Sequence, residues 1–245
     1  VQSLARGLAV LRAFAPGHER LTIAEAAART GLTRAGARRI LLTLQHLGYI
    51  RSDSRHFFLT ARVLDLARGF GERALWDATR PVLQSVADAL NETTSAGVLD
   101  GAEVVYVLRI PSARPLHIGV SPGTRLPAHV SSMGRVLLAA LPGPALEEYF
   151  RTSPLRRFTK FTVTDPSVLR ARLDEVRAQG WSYVKGEIEE GVSGVSVPLT
   201  DKAGRVIAAL NVSTNAERAS MQEVRRTIVP ALQAAAVRIS VNTGA

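Results

Sequence analysis

The stretch "GLTRAGARRILLTL", residues 31–44, decides how the first third of the chain is read. Its apolar residues Ala37, Ile40, Leu41 and Leu44 recur at helical spacing and continue to Leu47, which predicts an amphipathic helix. Thr33 stands where an N-cap belongs, and Gly31 where a preceding helix would end. At about 100° per residue, Ala35, Arg38, Arg39 and His46 project away from the apolar stripe, Arg34 lies at its border, and Gly36 and Thr43 flank the far edge. No acidic residue occurs between Gly31 and Ser52, whereas a merely solvated face ordinarily mixes signs. A cation in the first turn also opposes the helix macrodipole, so Arg34 calls for an anionic partner. Ala35 and Gly36 keep the tip slim enough for a groove about 12 Å wide. Gly36 costs about 1 kcal/mol of helix stability relative to alanine, a cost that close approach to a partner would explain.

Working upstream, residues 3–14 read as a helix ending before Pro16-Gly17. A second helix opens at Thr22, where Thr22 and Glu25 have the spacing of a capping box. It runs through "IAEAAART" to Gly31. Two short helices joined by a tight glycine turn form a helix-turn-helix. Downstream, "GYIRSDSRHFFLT" reads as two strands, residues 49–51 and 57–59, around an "SDS" turn. Arg51 and Arg55 bracket its tip, and a basic hairpin after such a helix is a wing able to reach a minor groove. The expected DNA-contacting set is therefore Thr33, Arg34, Ala35, Arg38, Arg39 and Thr43 on the helix, with Arg51 and Arg55 on the wing.

Charge agrees with that reading. The 245 residues carry a formal net charge of +10. Residues 1–74 hold twelve Arg and Lys against five Asp and Glu, and the remainder nineteen against sixteen. An excess confined to one segment points to a polyanion partner. No apolar run is long enough for a spanning helix. The arginines at 6 and 12 make the start an amphipathic helix and not a signal peptide. Cysteine is absent and the five histidines lack metal-ligand spacing, so neither a thiolate site nor a structural metal is expected. The expectation is a soluble cytoplasmic protein without metal or cofactor.

Residues 59–94 read as mostly helical, broken at Gly69 and Gly71. This sets a winged helix-turn-helix at residues 1–60, a linker helix at 61–74 and a second domain at 75–245. In the second domain a hairpin is expected to turn at Asp100-Gly101, with a third strand over 115–120. Helices follow from Ser131 or Ser132, over 144–151 and over 166–179. Three strands ("WSYVKGEI", "GVSGVSVPL", "RVIAALNVS") and a closing helix over 220–241 complete it. That order predicts an α+β domain, an antiparallel sheet with helices packed on it.

"AHVSSMGR" puts open backbone N–H groups at Ser132, Met133 and Gly134 on a helix start, an anion site. The Ser131 and Ser132 hydroxyls and the fixed charge of Arg135 add to it. Enzyme motifs are missing: "GVSGVS" lacks the residue between serine and glycine that a nucleophile elbow needs. There is no phosphate-binding glycine loop. Glu187, Glu189 and Glu190 read as solvated neighbours in one polar loop and not as a catalytic pair.

Together, "SLARGLAVLRAF", "LTIAEAAARTGLTRAGARRILLTLQHLGYI", "LTARVLDLARG", "LPAHVSSMGRVLLA", "GWSYVKGEIEEGVSGVSVPL" and "VIAALNVS" resemble the IclR family of bacterial transcriptional regulators over essentially the whole chain. The resemblance is greatest to its PcaR, PcaU and PobR subgroup, which responds to protocatechuate, 4-hydroxybenzoate or β-ketoadipate. It implies a GAF-like effector domain, operator DNA as partner, and a homodimer joined through the DNA-binding halves, often paired to a tetramer. It further implies effector contacts at Leu126, Ser132, Met133, Gly194, Asn211 and Ser213, with His129 in the same segment. Val184 occupies the position of an acidic contact in one member, which disfavours a small polar effector such as glyoxylate; room at Gly194 and an adaptable apolar wall at Met133 favour a larger one. The alternative to a ligand-responsive regulator is a metabolite-binding enzyme domain carrying an accessory basic module.

Overall fold

The computed structural model describes residues 1–15, 17–67, 73–113, 119–218 and 220–243. The chain divides into two compact units, Val1–Arg73 and Ala74–Ala245.

In the first unit, α1 (Gln2–Ala13), α2 (Ile23–Thr30) and α3 (Arg34–His46) enclose a core of Val10, Leu21, Ala26, Ala37, Leu41 and Ile50. The capping box forms: Thr22 N–H donates to Glu25 Oε2 at 2.7 Å, and Glu25 N–H to Thr22 Oγ1 at 3.2 Å. Gly31 closes α2 with φ +67°, a left-handed conformation that glycine adopts without strain. The wing strands β2 (Ile50–Ser52) and β3 (Phe57–Leu59) pair antiparallel. A strand not expected from the sequence, β1 (Arg20–Leu21), pairs with β3 and makes the wing sheet three-stranded. Two residues are too short to show a period. Leu47, expected at the end of the buried stripe, is 49% exposed because α3 stops before it. α4 (Val63–Ala67) follows the wing. The expected break at Gly69 and Gly71 lies outside the described residues.

The second unit is an antiparallel six-stranded sheet covered on both faces. Its strands are β4 (Thr93–Asp100), β5 (Glu103–Ile110), β6 (Arg125–Pro127), β7 (Ser182–Lys185), β8 (Val192–Thr200) and β9 (Val206–Asn215). Their spatial order is β6-β5-β4-β9-β8-β7. On one face, Leu108, Val197 and Leu210 pack under α5 (Arg73–Leu90) and the closing helix. On the other, Val104, Tyr106 and Ala209 pack with α6 (Ser132–Ala139), α7 (Gly143–Thr152) and α8 (Pro166–Gln179). Alternation along β9 sends Leu210 and Val212 to the first face and Ala209, Asn211 and Ser213 to the second. The hairpin loop is Gly101-Ala102, one residue later than expected, because Asp100 still pairs with Glu103. β6 was not expected as a strand. The strand expected over 115–120 falls, for residues 115–118, outside the described residues. The closing helix starts as α9 (Met221–Glu223), widens to a π-turn over Val224–Ile228 and continues as α10 (Val229–Thr243). Pro230 in its first turn has no N–H to give the preceding turn, which widens instead. No helix among the described residues is long and apolar enough to cross a membrane.

Candidate functional site

In the first unit, all eight residues expected to contact DNA are exposed. Arg34, Ala35 and Arg38 share an open hollow with Ser54 and Arg55 of the wing turn. A second hollow along α3 is lined by Ala35, Arg38, Arg39, Leu42, Thr43 and His46. Ser54, Leu42 and His46 were not in the expected set; Leu42 is 40% exposed and stands beside the arginines, an apolar residue on a basic face. Arg51 does not reach either hollow. Its guanidinium stacks 4.6 Å from the Phe58 ring centroid, which holds it on the wing. Two hydroxyls are already engaged: Gly36 N–H donates to Thr33 Oγ1 at 3.1 Å, and Thr43 Oγ1 donates to the Arg39 carbonyl at 2.9 Å. A Cβ at Gly36 would lie 3.2 Å from Thr33 Oγ1, so the cap itself is one reason for a glycine there, beside approach to a partner.

In the second unit, a cavity of about 40 Å³ lies between the start of α6 and the sheet. Leu126, Ser131, Ser132, Gly194, Asn211 and Ser213, all expected from the sequence, line it, together with Tyr106, Val184, Glu187 and Ile188. Its polar side is a hydrogen-bonded cluster. Asn211 Nδ2 donates to Ser132 Oγ, Ser196 Oγ and the Val195 carbonyl, each at 3.1 Å, and Ser213 Oγ donates to Asn211 Oδ1 at 2.7 Å. Gly194 makes the space: a Cβ there would sit 2.6 Å from Ser132 Oγ.

Four expected effector residues do not line the cavity. Gly134 N–H is taken by Ser131 Oγ at 2.9 Å, so of the three N–H groups expected to be open only those of Ser132 and Met133 lack a helical or capping acceptor. The Met133 side chain is buried in the core with Leu137 and Tyr149 and is not a wall of the cavity. His129 Nε2 faces the Arg156 carbonyl at 3.0 Å, and burial lowers the imidazole pKa. Arg135 is the largest correction. Its guanidinium meets both Glu187 oxygens at 2.7 Å, with the two side chains 4% and 8% exposed. The fixed charge expected to hold an anion is thus neutralised inside the protein. Glu187, expected in solvent, is buried instead, and also accepts from Val163 N–H at 3.0 Å. The partner of Arg135 lies 52 residues away, which no local pattern reveals. Among the described residues no cluster of His, Asp or Glu could hold a metal ion.

Residues 3–54 match the IclR helix-turn-helix domain, and residues 70–241 the bacterial transcriptional regulator IclR C-terminal domain. The chain is 41% identical to a Pca regulon regulatory protein of Pseudomonas putida, covering 95% of this chain and 81% of the relative. It is 36% identical to a p-hydroxybenzoate hydroxylase transcriptional activator of Acinetobacter baylyi, covering 95% and 88%. Among solved structures, a transcriptional regulator from Rhodococcus sp. RHA1 superposes with a TM-score of 0.84 at 40% identity over 99% of this chain and 98% of that one. An IclR homologue from Microbacterium hydrocarbonoxydans, solved with 4-hydroxybenzoate, gives 0.86 at 30% identity over 98% of both. These relatives regulate transcription and are not enzymes, which overturns the alternative of an enzyme with an accessory basic module. The chain belongs to the IclR family of bacterial transcriptional regulators.

Proposed function

We propose that this regulator binds operator DNA in the cytoplasm as a homodimer and that a small aromatic carboxylate, or a product of its ring opening, sets its DNA affinity. Residues 1–60 act as the reader, 61–74 as linker and 75–245 as the effector domain. α3 lies in the major groove, with Arg34, Arg38 and Arg39 on phosphates and base edges, while Arg51 and Arg55 carry the wing to the backbone or minor groove. Dimerisation is supported by leucines left in solvent in the first unit. Leu4 and Leu8 on α1 are 65% and 50% exposed, and Leu64 and Leu66 on α4 are 66% and 58% exposed. A two-fold dimer of this kind reads half-sites about one helical turn apart.

The observation that carries the effector reading is the cavity, mainly apolar in its lining, with Ser132 at the start of α6 and the Asn211 cluster on its polar side. The relative solved with 4-hydroxybenzoate, and the regulators named for the Pca regulon and p-hydroxybenzoate hydroxylase, support the same class. At about 40 Å³ the cavity has room for a few waters. A cavity of about 150 Å³ takes one benzene ring, so an aromatic ligand needs more room than the cavity encloses.

The test is a thermal-shift titration of the full chain with 4-hydroxybenzoate, protocatechuate, β-ketoadipate and glyoxylate. A ligand at about 100 times its Kd adds about 2.7 kcal/mol of stability. The expected result is a saturable rise with at least one of the first three and none with glyoxylate. A flat response to all four, or a rise with glyoxylate alone, would overturn the effector class.

A further inference from the structure

One row of the sheet differs from the rest. Reading straight across five strands, Arg109 on β5 pairs with Ser95 on β4, Ser95 with Asn211 on β9, Asn211 with Ser196 on β8, and Ser196 with Ser182 on β7. Directly paired residues point to the same face. Ser95 and Ser196 are fully buried, Asn211 and Ser182 nearly so. Five polar residues in register across one sheet face form a polar track beneath α6, and the cavity meets it at Asn211.

The track is satisfied at one end and not at the other. Ser196 and Asn211 bond to Ser132 and to each other. Ser95 Oγ is buried without a hydrogen-bond partner among the described residues, an arrangement that costs stability. Beside it the Arg109 guanidinium is half-buried, and desolvation lowers its pKa. No carboxylate among the described residues pairs with it, and the following residues, 111–124, contain no Asp or Glu at all. A guanidinium drawn out of water without an anion is a costly arrangement. Register also links Arg109 to the cavity. On β5 the pairing passes from Leu108 to Tyr106 as its partner passes from Ala96 to Gly97, so Val107 is an extra, bulged residue. The bulge turns Tyr106 to the same face as Arg109, and Tyr106 lines the cavity. The two side chains are near enough to influence each other's charge.

We infer that Arg109, with Ser95 Oγ, anchors the carboxylate of the effector, and that the ligand lies along the track with its other end at Ser132 and Asn211. This rests on the effector reading above. It also supplies the unpaired cation that Arg135, locked to Glu187, does not. Neighbouring strands are about 4.8 Å apart, so Arg109 and Asn211 stand about 10 Å apart across Ser95, a span that suits a para-substituted benzoate between their side chains. Tyr106, beside both, is the side chain that has to shift.

The test compares 4-hydroxybenzoate with its uncharged isostere 4-hydroxybenzamide, by calorimetric titration of the full chain and of Arg109→Gln. The parent is expected to prefer the carboxylate. Arg109→Gln is expected to weaken the carboxylate about ten- to hundred-fold, as loss of a charged hydrogen bond does, and to leave the amide within about two-fold. Its ligand-free melting point is expected to match or exceed that of the parent, since an unpaired buried charge has been removed. If Arg109→Gln does not fold, Arg109→Lys keeps the charge and loses the bidentate fork; several-fold weaker carboxylate binding with unchanged amide binding is then expected. Carboxylate preference retained in the folded variant overturns the assignment alone. A parent that binds none of the acids in the earlier titration overturns the effector reading and this anchor with it.

Discussion

Arg135 and Glu187 show how far a side chain's role depends on what folding brings beside it. At a helix start, an arginine after two serines has the local chemistry of an anion site. Here it is paired inside the protein with a glutamate that also braces Val163. Burial lowers the Arg135 pKa, and the Glu187 charge opposes that shift. Removing one partner strands the other charge, so Glu187→Ala is expected to cost about 3–5 kcal/mol, read as a lower midpoint in urea unfolding. Replacing both by methionine is expected to recover most of the loss, because the desolvated charges go together. Equal losses in the single and double variants would mean that packing and not charge sets the cost. Gly194 is the converse case, a residue whose lack of a side chain is its contribution, since even one methyl would meet Ser132.

Among the elements, α3 does two jobs with opposite faces. Ala37, Leu41 and Leu44 fasten it to its unit, and the arginines remain in solvent. The two hollows along its outer face share Ala35 and Arg38, which makes Arg38 central to whatever α3 touches. Arg38→Ala is expected to weaken specific operator binding by about 1–3 kcal/mol if it reads a guanine. Parallel titrations on operator and random duplexes check this; equal losses on both would make Arg38 a phosphate contact. The fold should be unharmed, because Arg38 has no buried partner.

For the whole molecule, the proposed dimer rests on the exposed leucines. Leu4 and Leu8 lie four apart on one face of α1, outside the core that Val10 and Ala13 enter. Leu4→Glu combined with Leu8→Glu is expected to convert the dimer to monomer in light scattering, to leave the melting of the effector domain intact, and to lower operator affinity by removing the second half-site. A mass unchanged by both substitutions would place the dimer contact elsewhere. In the proposed regulator, effector and DNA binding are expected to couple by about 1–3 kcal/mol, equally in both directions.

What the sequence determined by itself was whatever neighbours a few residues apart control. The capping box at Thr22 and Glu25, the glycine stop at Gly31 and the face of α3 are set by local geometry and read directly from spacing. Their order was enough for a winged helix-turn-helix followed by an α+β domain. The tertiary structure alone decided which strands lie side by side and which charges meet. It added β1 to the wing, covered both faces of the sheet, gave Arg135 to Glu187 and set Arg109 in line with Ser95, Asn211 and Ser196. Pairing across strands and ion pairs across 52 residues depend on how the whole chain closes, and a periodicity of two or of 3.6 carries no information about partners that far away.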